Sequence, residues 1–572
     1  MVGPGFPAVA AANPGPAALY GPVSALQPSR REVLGAAAGG AAAWALTGCP
    51  GPAPRASGPV AGAILGDDAL ELGHRLRTGE LLGREPAATE RAPVVIVGAG
   101  VAGLACAWRL RREGLADAVQ VLEAGREPGG NARGGANEVT PFPWGAHYLR
   151  APTLEHRGLL RFLEDAGLIR GRDAAGHIDW DLRAVCAAPE ERLFERGVWG
   201  EGLFPPPVTG HAEDEAELRR FLDRVQALAA RRDAAGRRAF ALPIELSARD
   251  PDLMALDRIS FAQWLDAEGI VRPAPRWLLE YGCKDDYGCD LASTSAWAGL
   301  HYWAARRGDD PSRDITLTWP EGNARLVRLL LETHGPARVQ GRTLCVRLQP
   351  GSAPGRASQA VVWEAGADRV VRWEAEHLVW AGPRFLLGRL LPSPPPDLQA
   401  WSYAPWLVAN VTLDTPPGGP GAGLAWDNVA YGRPSLGYVV ANRQALPDEP
   451  CVITWYRPFA GQDPASARTA LLALDHPQVV ALVLDELLAI HPDLRGRVRR
   501  VDAWRWGHAM VRPTPGFLWG PARAAALQPQ DALLCAHSDL SGLALFEEAF
   551  YRGVLAGEEV LRRMGRSFQS IL

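Results

Sequence analysis

The chain has 572 residues, 47% hydrophobic and 22% charged, long enough for two or three domains around large buried cores. A net charge of −4 and a pI near 6.3 argue against a nucleic-acid partner, which needs a basic face. The eight cysteines are scattered without a CxxC pair, which argues against a zinc or iron–sulfur centre, so no metal is expected.

Residues 1–28 are small-residue and proline rich, without periodicity. Ser29-Arg30-Arg31-Glu32-Val33-Leu34 then leads into an alanine–glycine run, Gly35 to Ala45, that ends in Leu46-Thr47-Gly48-Cys49. Residues 1–49 resemble a twin-arginine export signal closed by a lipoprotein box. The expectation is a periplasmic or cell-surface protein lipid-anchored at Cys49, the lipid being its only membrane contact. The apolar run is too short to span a bilayer. An alanine-rich tail without signal function is the alternative. Residues 50–90 read as a mobile linker with some helical content around Ala69–Leu82.

The strongest signal starts at Pro93. Val94-Val95-Ile96-Val97 suits a buried parallel strand. It runs into Gly98-Ala99-Gly100-Val101-Ala102-Gly103, after which Leu104, Ala107 and Leu110 fall at helical spacing. A second apolar run, Val119 to Leu122, ends in Glu123, 20 positions after Gly103. This strand–turn–helix–strand–acid order is the dinucleotide fingerprint. Gly98 permits the tight turn, Gly100 lets the backbone approach a pyrophosphate, and Gly103 allows the helix to pack closely on the sheet. The amides of Val101 and Ala102 open the helix, whose N-terminus favours phosphate. Glu123 can accept hydrogen bonds from ribose hydroxyls.

The next segment, Glu123-Ala124-Gly125-Arg126-Glu127-Pro128-Gly129-Gly130, resembles that of flavin amine oxidases, protoporphyrinogen oxidases and phytoene desaturases. In those families an arginine follows the glycines directly. Here Asn131 takes that place and Arg133 comes two residues later, which makes Arg133 the candidate to neutralise the pyrophosphate. Pro143-Trp144-Gly145-Ala146-His147-Tyr148 resembles the stretch that passes near the isoalloxazine ring. Thr318 to Ala324 resembles a Pro-x-Gly-Gly segment, with Gly322-Asn323 replacing Gly-Gly, and leads into a helix-like run, Arg325–Leu331. Leu378 to Pro383 resembles a strand ending in Ala-x-Pro. Ala532 to Ala536 reads as a strand, His537 to Gly542 as a loop, and Glu547 to Arg562 as a helix with Gly553 and Gly557 on nearly one face. That closing pattern resembles the family's Ala-Gly-Asp loop and final helix, with Asp539 as the candidate flavin contact.

The resemblance implies an α/β fold: a Rossmann-like FAD-binding domain assembled from three chain segments, 91–165, 311–395 and 500–572. The insertions 166–310 and 396–499 would form an α+β substrate domain with a mixed sheet. It also implies that FAD is held by Gly98, Gly100, Val101, Ala102, Gly103, Glu123, Ala124, Arg126, Gly129, Gly130, Asn131, Arg133, Gly145, Ala146, His147 and Asp539.

Within the insertions, Glu213 to Arg232 reads as an amphipathic helix and Ser260-Phe261-Ala262-Gln263 as a capping box. Val408–Leu413, Leu436–Val440 and Val452–Trp455 read as strands. Two aromatic clusters, Trp297/His301/Tyr302/Trp303 and Trp504/Trp506/His508, either line a pocket or pack a core. Asp285 and Asp286 either bind a cationic amine or sit in a solvated loop. The surroundings of Lys284, the chain's one lysine, do not match the flavin-facing lysine of some amine oxidases. Cys283 and Cys289 are either a disulfide or two free thiols. His147 is the candidate catalytic proton-handling group, or a structural histidine.

The expected function is two-electron oxidation of a C–N or C–C bond in a small molecule, amine or apolar. The alternatives are a desaturase, isomerase or protoporphyrinogen-oxidase-like flavoenzyme on an apolar substrate, and a flavin-fold lipoprotein without turnover.

Overall fold

The computed structural model describes residues 59–572 apart from 175, 206–211, 307–314, 335–337, 352–355, 444–445 and 529–532. The twin-arginine segment and Cys49 lie outside the described residues.

Two sheets organise the chain. The first holds five parallel strands in the order Val339–Gln340, Val119–Leu122, Ala88–Val97, Arg369–Trp380 and Leu533–Cys535. The apolar run at Val94–Val97 is the buried half of the longer strand Ala88–Val97. A crossover helix, Val101–Arg112, links it to Val119–Leu122, the parallel unit the fingerprint demands. Strands Ser358–Glu364 and Thr343–Gln349 extend the sheet as an antiparallel meander from the first half of Arg369–Trp380. The first domain is thus built from separated stretches of chain.

The closing helix, Phe546–Arg563, packs along Val101–Arg112. Its glycines explain the close approach. A Cβ on Gly553 would stand 2.2 Å from the carbonyl oxygen of Ala102, and one on Gly557 would stand 3.0 Å from Cβ of Arg109. Trp108, Phe162 and Phe550 fill the space beside this contact.

The second sheet has eight strands and is mixed. Tyr403–Leu413 lies at its centre, antiparallel to both Cys451–Pro458 and Val498–Val511. Tyr438–Val440, Asp427–Ala430, Glu191–Glu195 and Val198–Glu201 continue it on one side. The helices Ala212–Ala230, Phe261–Ala267, Pro273–Tyr287 and Ala296–Ala304 form a separate apolar layer. Ser260 and Gln263 make the expected reciprocal capping box.

Two features differ from the sequence reading. Residues 59–82 are not a free tether. Ile64–Leu65 adds a parallel edge strand beside Ala503 and Trp504, and helix Asp67–Thr78 follows directly. Leu76 and Leu81 are buried in the core of the first sheet. The segment therefore straps one sheet to the other, held by apolar contacts too few to stand out in its sequence. Residues 500–511 also pair in the second sheet rather than the first. They continue the long strand Val498–Val511 of the second sheet, and the chain returns to the first sheet only at Leu533.

Candidate functional site

At the C-terminal edge of Ala88–Val97, Gly98 takes φ +112°, a left-handed turn closed to side chains. A Cβ there would meet the Ala381 carbonyl at 2.9 Å. Gly100 differs. The nearest atom to a Cβ on it is Cα of Gly130, 3.9 Å away. Gly100 bridges Gly129, whose N–H donates to the Ala99 carbonyl at 2.8 Å. Two glycine turns thus face each other across an open cradle at the N-terminus of helix Val101–Arg112, where the first-turn amides lack intrahelical partners.

Glu123 lies beside that cradle and is buried. Its two oxygens accept the N–H groups of Ala99 and Gly125, each at 2.8 Å. This fixes the carboxylate and leaves lone pairs for sugar hydroxyls. The open space at Gly100, the free amides and the fixed acid fit a dinucleotide pyrophosphate and ribose.

Arg133 is placed differently from expectation. Its guanidinium donates to the Glu127 carbonyl at 3.1 Å, lies 3.9 Å from Glu123 and covers the Trp504 ring at 5.2 Å. It sits by the ribose acceptor, held by protein groups, rather than at the helix N-terminus. Asp539 is also committed elsewhere. One oxygen accepts the Arg384 N–H at 2.8 Å and the Tyr403 hydroxyl at 2.6 Å, and the other lies 3.1 Å from Nδ1 of His537. Burial pushes its pKa up, but His537 and these donors outweigh that and hold it below the usual carboxylate range. Asp539 ties the final loop to the Pro383–Arg384 turn. Ala124 and Arg126 lie on the turn after Glu123, where a Cβ on Gly341 would meet the Arg126 carbonyl at 2.8 Å.

Asn131 and Gly145 lie in contact. The Ala146 N–H donates to the Asn131 carbonyl at 2.9 Å, and a Cβ on Gly145 would stand 2.2 Å from that oxygen. Both open onto a cavity whose empty space, open mouth included, is about 800 Å³. The cavity lies between the glycine turns and the second sheet. Trp406 and Val408 reach it two residues apart on one strand face, with Tyr456, Trp506 and Met510 from the neighbouring strands. Trp506 is fixed by a bond from its indole N–H to the Trp144 carbonyl at 2.6 Å and stacks on Trp504.

His147 lines this wall and stacks on Tyr456 with ring centroids 4.6 Å apart. Burial lowers its pKa to about 4, partly offset by a hydrogen bond to the Gly145 backbone. The ring is neutral at neutral pH and shapes the cavity without adding charge.

One end of the cavity is polar. The Tyr148 hydroxyl donates to Asp285 at 2.9 Å. Asp286 pairs with Arg306 at 2.8 Å. Asn323 donates through Nδ2 to the Tyr148 carbonyl at 2.8 Å. Glu547, in the first turn of the closing helix, completes this end. The acidic run is therefore part of the cavity, not a solvated loop.

The first aromatic cluster is core. Trp297 stacks on His301, whose Nε2 meets the Ala241 carbonyl at 2.9 Å, and Trp303 packs against Phe221. Of the second cluster, His508 stacks on Phe385 away from the cavity. Lys284 pairs with Glu280, one helical turn back. Cys283 and Cys289 are buried free thiols. Sequence reasoning missed Trp406, Tyr456, Arg306 and Glu547. Their strand and helix positions mark them as half-buried, but nothing local separates a cavity wall from a core.

A family model described as an NAD(P)-binding Rossmann-like domain matches residues 96–166. A search of curated protein sequences finds no match. Among solved structures, putrescine oxidase bound to putrescine is 18% identical with a TM-score of 0.58, covering 83% of this chain and 100% of that one. Cyclohexylamine oxidase from Brevibacterium oxydans IH-35A is 16% identical with a TM-score of 0.59, covering 83% and 100%. A protein assigned as a protoporphyrinogen oxidase from Exiguobacterium sp. 255-15 is 16% identical with a TM-score of 0.57, covering 84% and 100%. Residues 96–166 carry a Rossmann-like dinucleotide domain, and the chain shares its fold with putrescine oxidase, cyclohexylamine oxidase and the protein assigned as a protoporphyrinogen oxidase.

Proposed function

We propose that the protein is a FAD-dependent oxidoreductase of the amine oxidase type, oxidising a C–N or C–C bond of a small molecule. The observation that carries this reading is the continuity of the site. The cradle at Gly100 and Gly129 leads by way of Asn131 and Gly145 into an aromatic-walled cavity.

The cofactor would lie with its pyrophosphate on the turn Gly98–Gly103 and the amides of Val101 and Ala102, its ribose on Glu123, and its ring near Asn131, Gly145, Ala146 and His147. When bound, FAD supplies the two-electron acceptor that takes a hydride equivalent from the substrate. The chain supplies orientation and desolvation. Trp406, Tyr456 and Trp506 give flat apolar faces that exclude water from the reacting carbon. Neutral His147 and its Tyr456 stack hold that wall rigid.

The test is the visible spectrum of the purified protein during anaerobic titration. Bound flavin bleached by a primary amine supports the amine oxidase reading. Bleaching only by an isoprenoid or tetrapyrrole moves the function to the apolar-substrate branch of this fold. Flavin that no substrate bleaches indicates a binding protein, and a colourless protein that takes up no added FAD sinks the proposal.

Export by a twin-arginine signal with lipidation at Cys49 is part of this reading, since that route carries folded, cofactor-loaded proteins. Mass spectrometry of the mature protein tests it, and an intact unlipidated N-terminus refutes it.

A further inference from the structure

The polar end of the cavity holds two carboxylates, Asp285 and Glu547, in no ion pair with a described side chain, beside an Arg306 whose Nε is itself a buried donor without a partner. Glu547 is only 5% exposed and lines the cavity, yet no ion pair to a described side chain reaches its carboxylate, which is met by its own backbone N–H. Asp285 is held by a neutral partner, the Tyr148 hydroxyl. Asn323 is 1% exposed, and its Oδ1 is buried without a hydrogen-bond partner. Among the described residues the nearby cations are already engaged. Arg306 is paired with Asp286, and Arg150 lies 3.5 Å from Glu190 and 4.0 Å from Glu191.

Buried carboxylates without cations are costly, and buried acceptors without donors add to the cost. A protonated primary amine answers both deficits. It brings one positive charge and three N–H donors in a group small enough for the end of the cavity. The aromatic wall suits the apolar part of the same molecule.

We infer that Asp285 and Glu547, with the Asn323 amide oxygen, form a cation-binding end of the cavity that takes the primary ammonium group of the substrate. The inference rests on the function proposed above and assigns its specificity to particular side chains. An amine anchored this way is distinguished from an apolar polyene or tetrapyrrole by charge rather than by shape.

The ionisation of the two acids is consistent with a site awaiting a cation. Burial, and after it Asp286, raise the Asp285 pKa to about 7 against the Tyr148 hydroxyl, Arg306 and Arg150. Burial also raises Glu547, with Asp286 in the same direction and Arg306 opposing. Tyr302, Tyr281, Tyr456 and Asp427 are further titratable groups around Asp285. A bound ammonium favours the carboxylate forms. Binding therefore expels protons near pH 7, and affinity falls as the pH drops below about 7.

The probe is tert-butylammonium, which carries the charge and the donors but has no α-hydrogen to be oxidised. Calorimetry on the full protein, repeated in buffers of different ionisation enthalpy, reads both affinity and proton release. Wild type binds tert-butylammonium at least tenfold more tightly than tert-butanol and releases protons at pH 6.5. Asp285→Asn and Glu547→Gln each lose most of that preference while flavin absorbance per chain is unchanged. Equal binding of the charged and neutral probes, failure of both to bind, or both variants retaining the preference overturns the inference. Flavin content and amine bleaching are read separately. A yellow protein bleached by amines but indifferent to probe charge refutes this anchor alone, and a colourless one that still discriminates refutes the oxidoreductase alone.

Discussion

The carbonyl oxygen of Gly98 lies 1.9 Å from the point where a Cβ on Gly103 would stand. The turn and the helix it feeds are in backbone contact, and Gly103 can carry no side chain. Gly100, three residues earlier, has an open side and an ordinary φ of −75°. Gly103→Ala should therefore destabilise the fold by about 1–3 kcal/mol, the usual cost of overpacking. Gly100→Ala should leave the melting temperature of the apoprotein unchanged while abolishing flavin absorbance, because its methyl group enters the pyrophosphate space. Thermal melts with and without added FAD separate the two. Normal flavin content in Gly100→Ala would remove the cradle from the argument.

Asp539 should matter to stability in acid. Its folded pKa lies below the ordinary carboxylate value, so its contribution is present above about pH 4 and is lost as the pH falls through the folded value. Asp539→Asn should cost on the order of 2–3 kcal/mol at pH 7, from charge-assisted bonds to the Arg384 N–H and the Tyr403 hydroxyl. The variant should also show a shallower loss of stability between pH 5 and pH 2, read by urea unfolding at each pH.

Glu548 should behave in the opposite sense. It is fully buried, one oxygen accepts the Ile244 N–H at 2.6 Å, and the other has no partner. Burial raises its pKa to about 7, so the group favours the folded state below the unfolded value of 4.5, and that contribution is lost as pH rises through 7. Glu548→Gln should raise stability at pH 8 by on the order of 3 kcal/mol, with the difference vanishing near pH 4. A variant no more stable than wild type at pH 8 would show that Arg552 neutralises the charge more fully than the burial suggests.

The thiols should report unfolding. All seven described cysteines are free, and six of them are buried. Burial raises Cys106, Cys345 and Cys451 to about 12 and Cys283 well above its usual value. Native protein at pH 8 should react with a thiol reagent at these positions only as it melts. Rapid labelling of the folded state at any of them would contradict this packing.

The dinucleotide half of the site was legible in the sequence because its chemistry is local. Gly98, Gly100, Gly103 and Glu123 lie within one strand–helix–strand unit, where Gly103 meets the Gly98 carbonyl and Glu123 accepts the Ala99 and Gly125 N–H groups. The orientation of Arg133 and Asp539 was not legible, for a physical reason. A charged side chain beside a loop can turn toward a ligand or toward a protein donor, and only the fold brings Trp504 to the one and Tyr403 to the other. The cavity was the least legible part. Trp406, Tyr456, Arg306 and Glu547 come from four distant elements, and no spacing in the chain announces that they share a wall.

The strap over residues 59–82 constrains how the two sheets can move. It is hydrogen-bonded along the edge of one sheet through Ala61 and Ala63, and its helix is buried against the other through Leu76. Gly66, at the joint, has φ +80° and leaves no room for a Cβ, which would stand 2.3 Å from the Trp504 ring. Swinging the two sheets apart like a clamshell would require peeling off this fastening. A rigid-body opening between the two sheets is therefore resisted by this fastening as well as by the apolar cores.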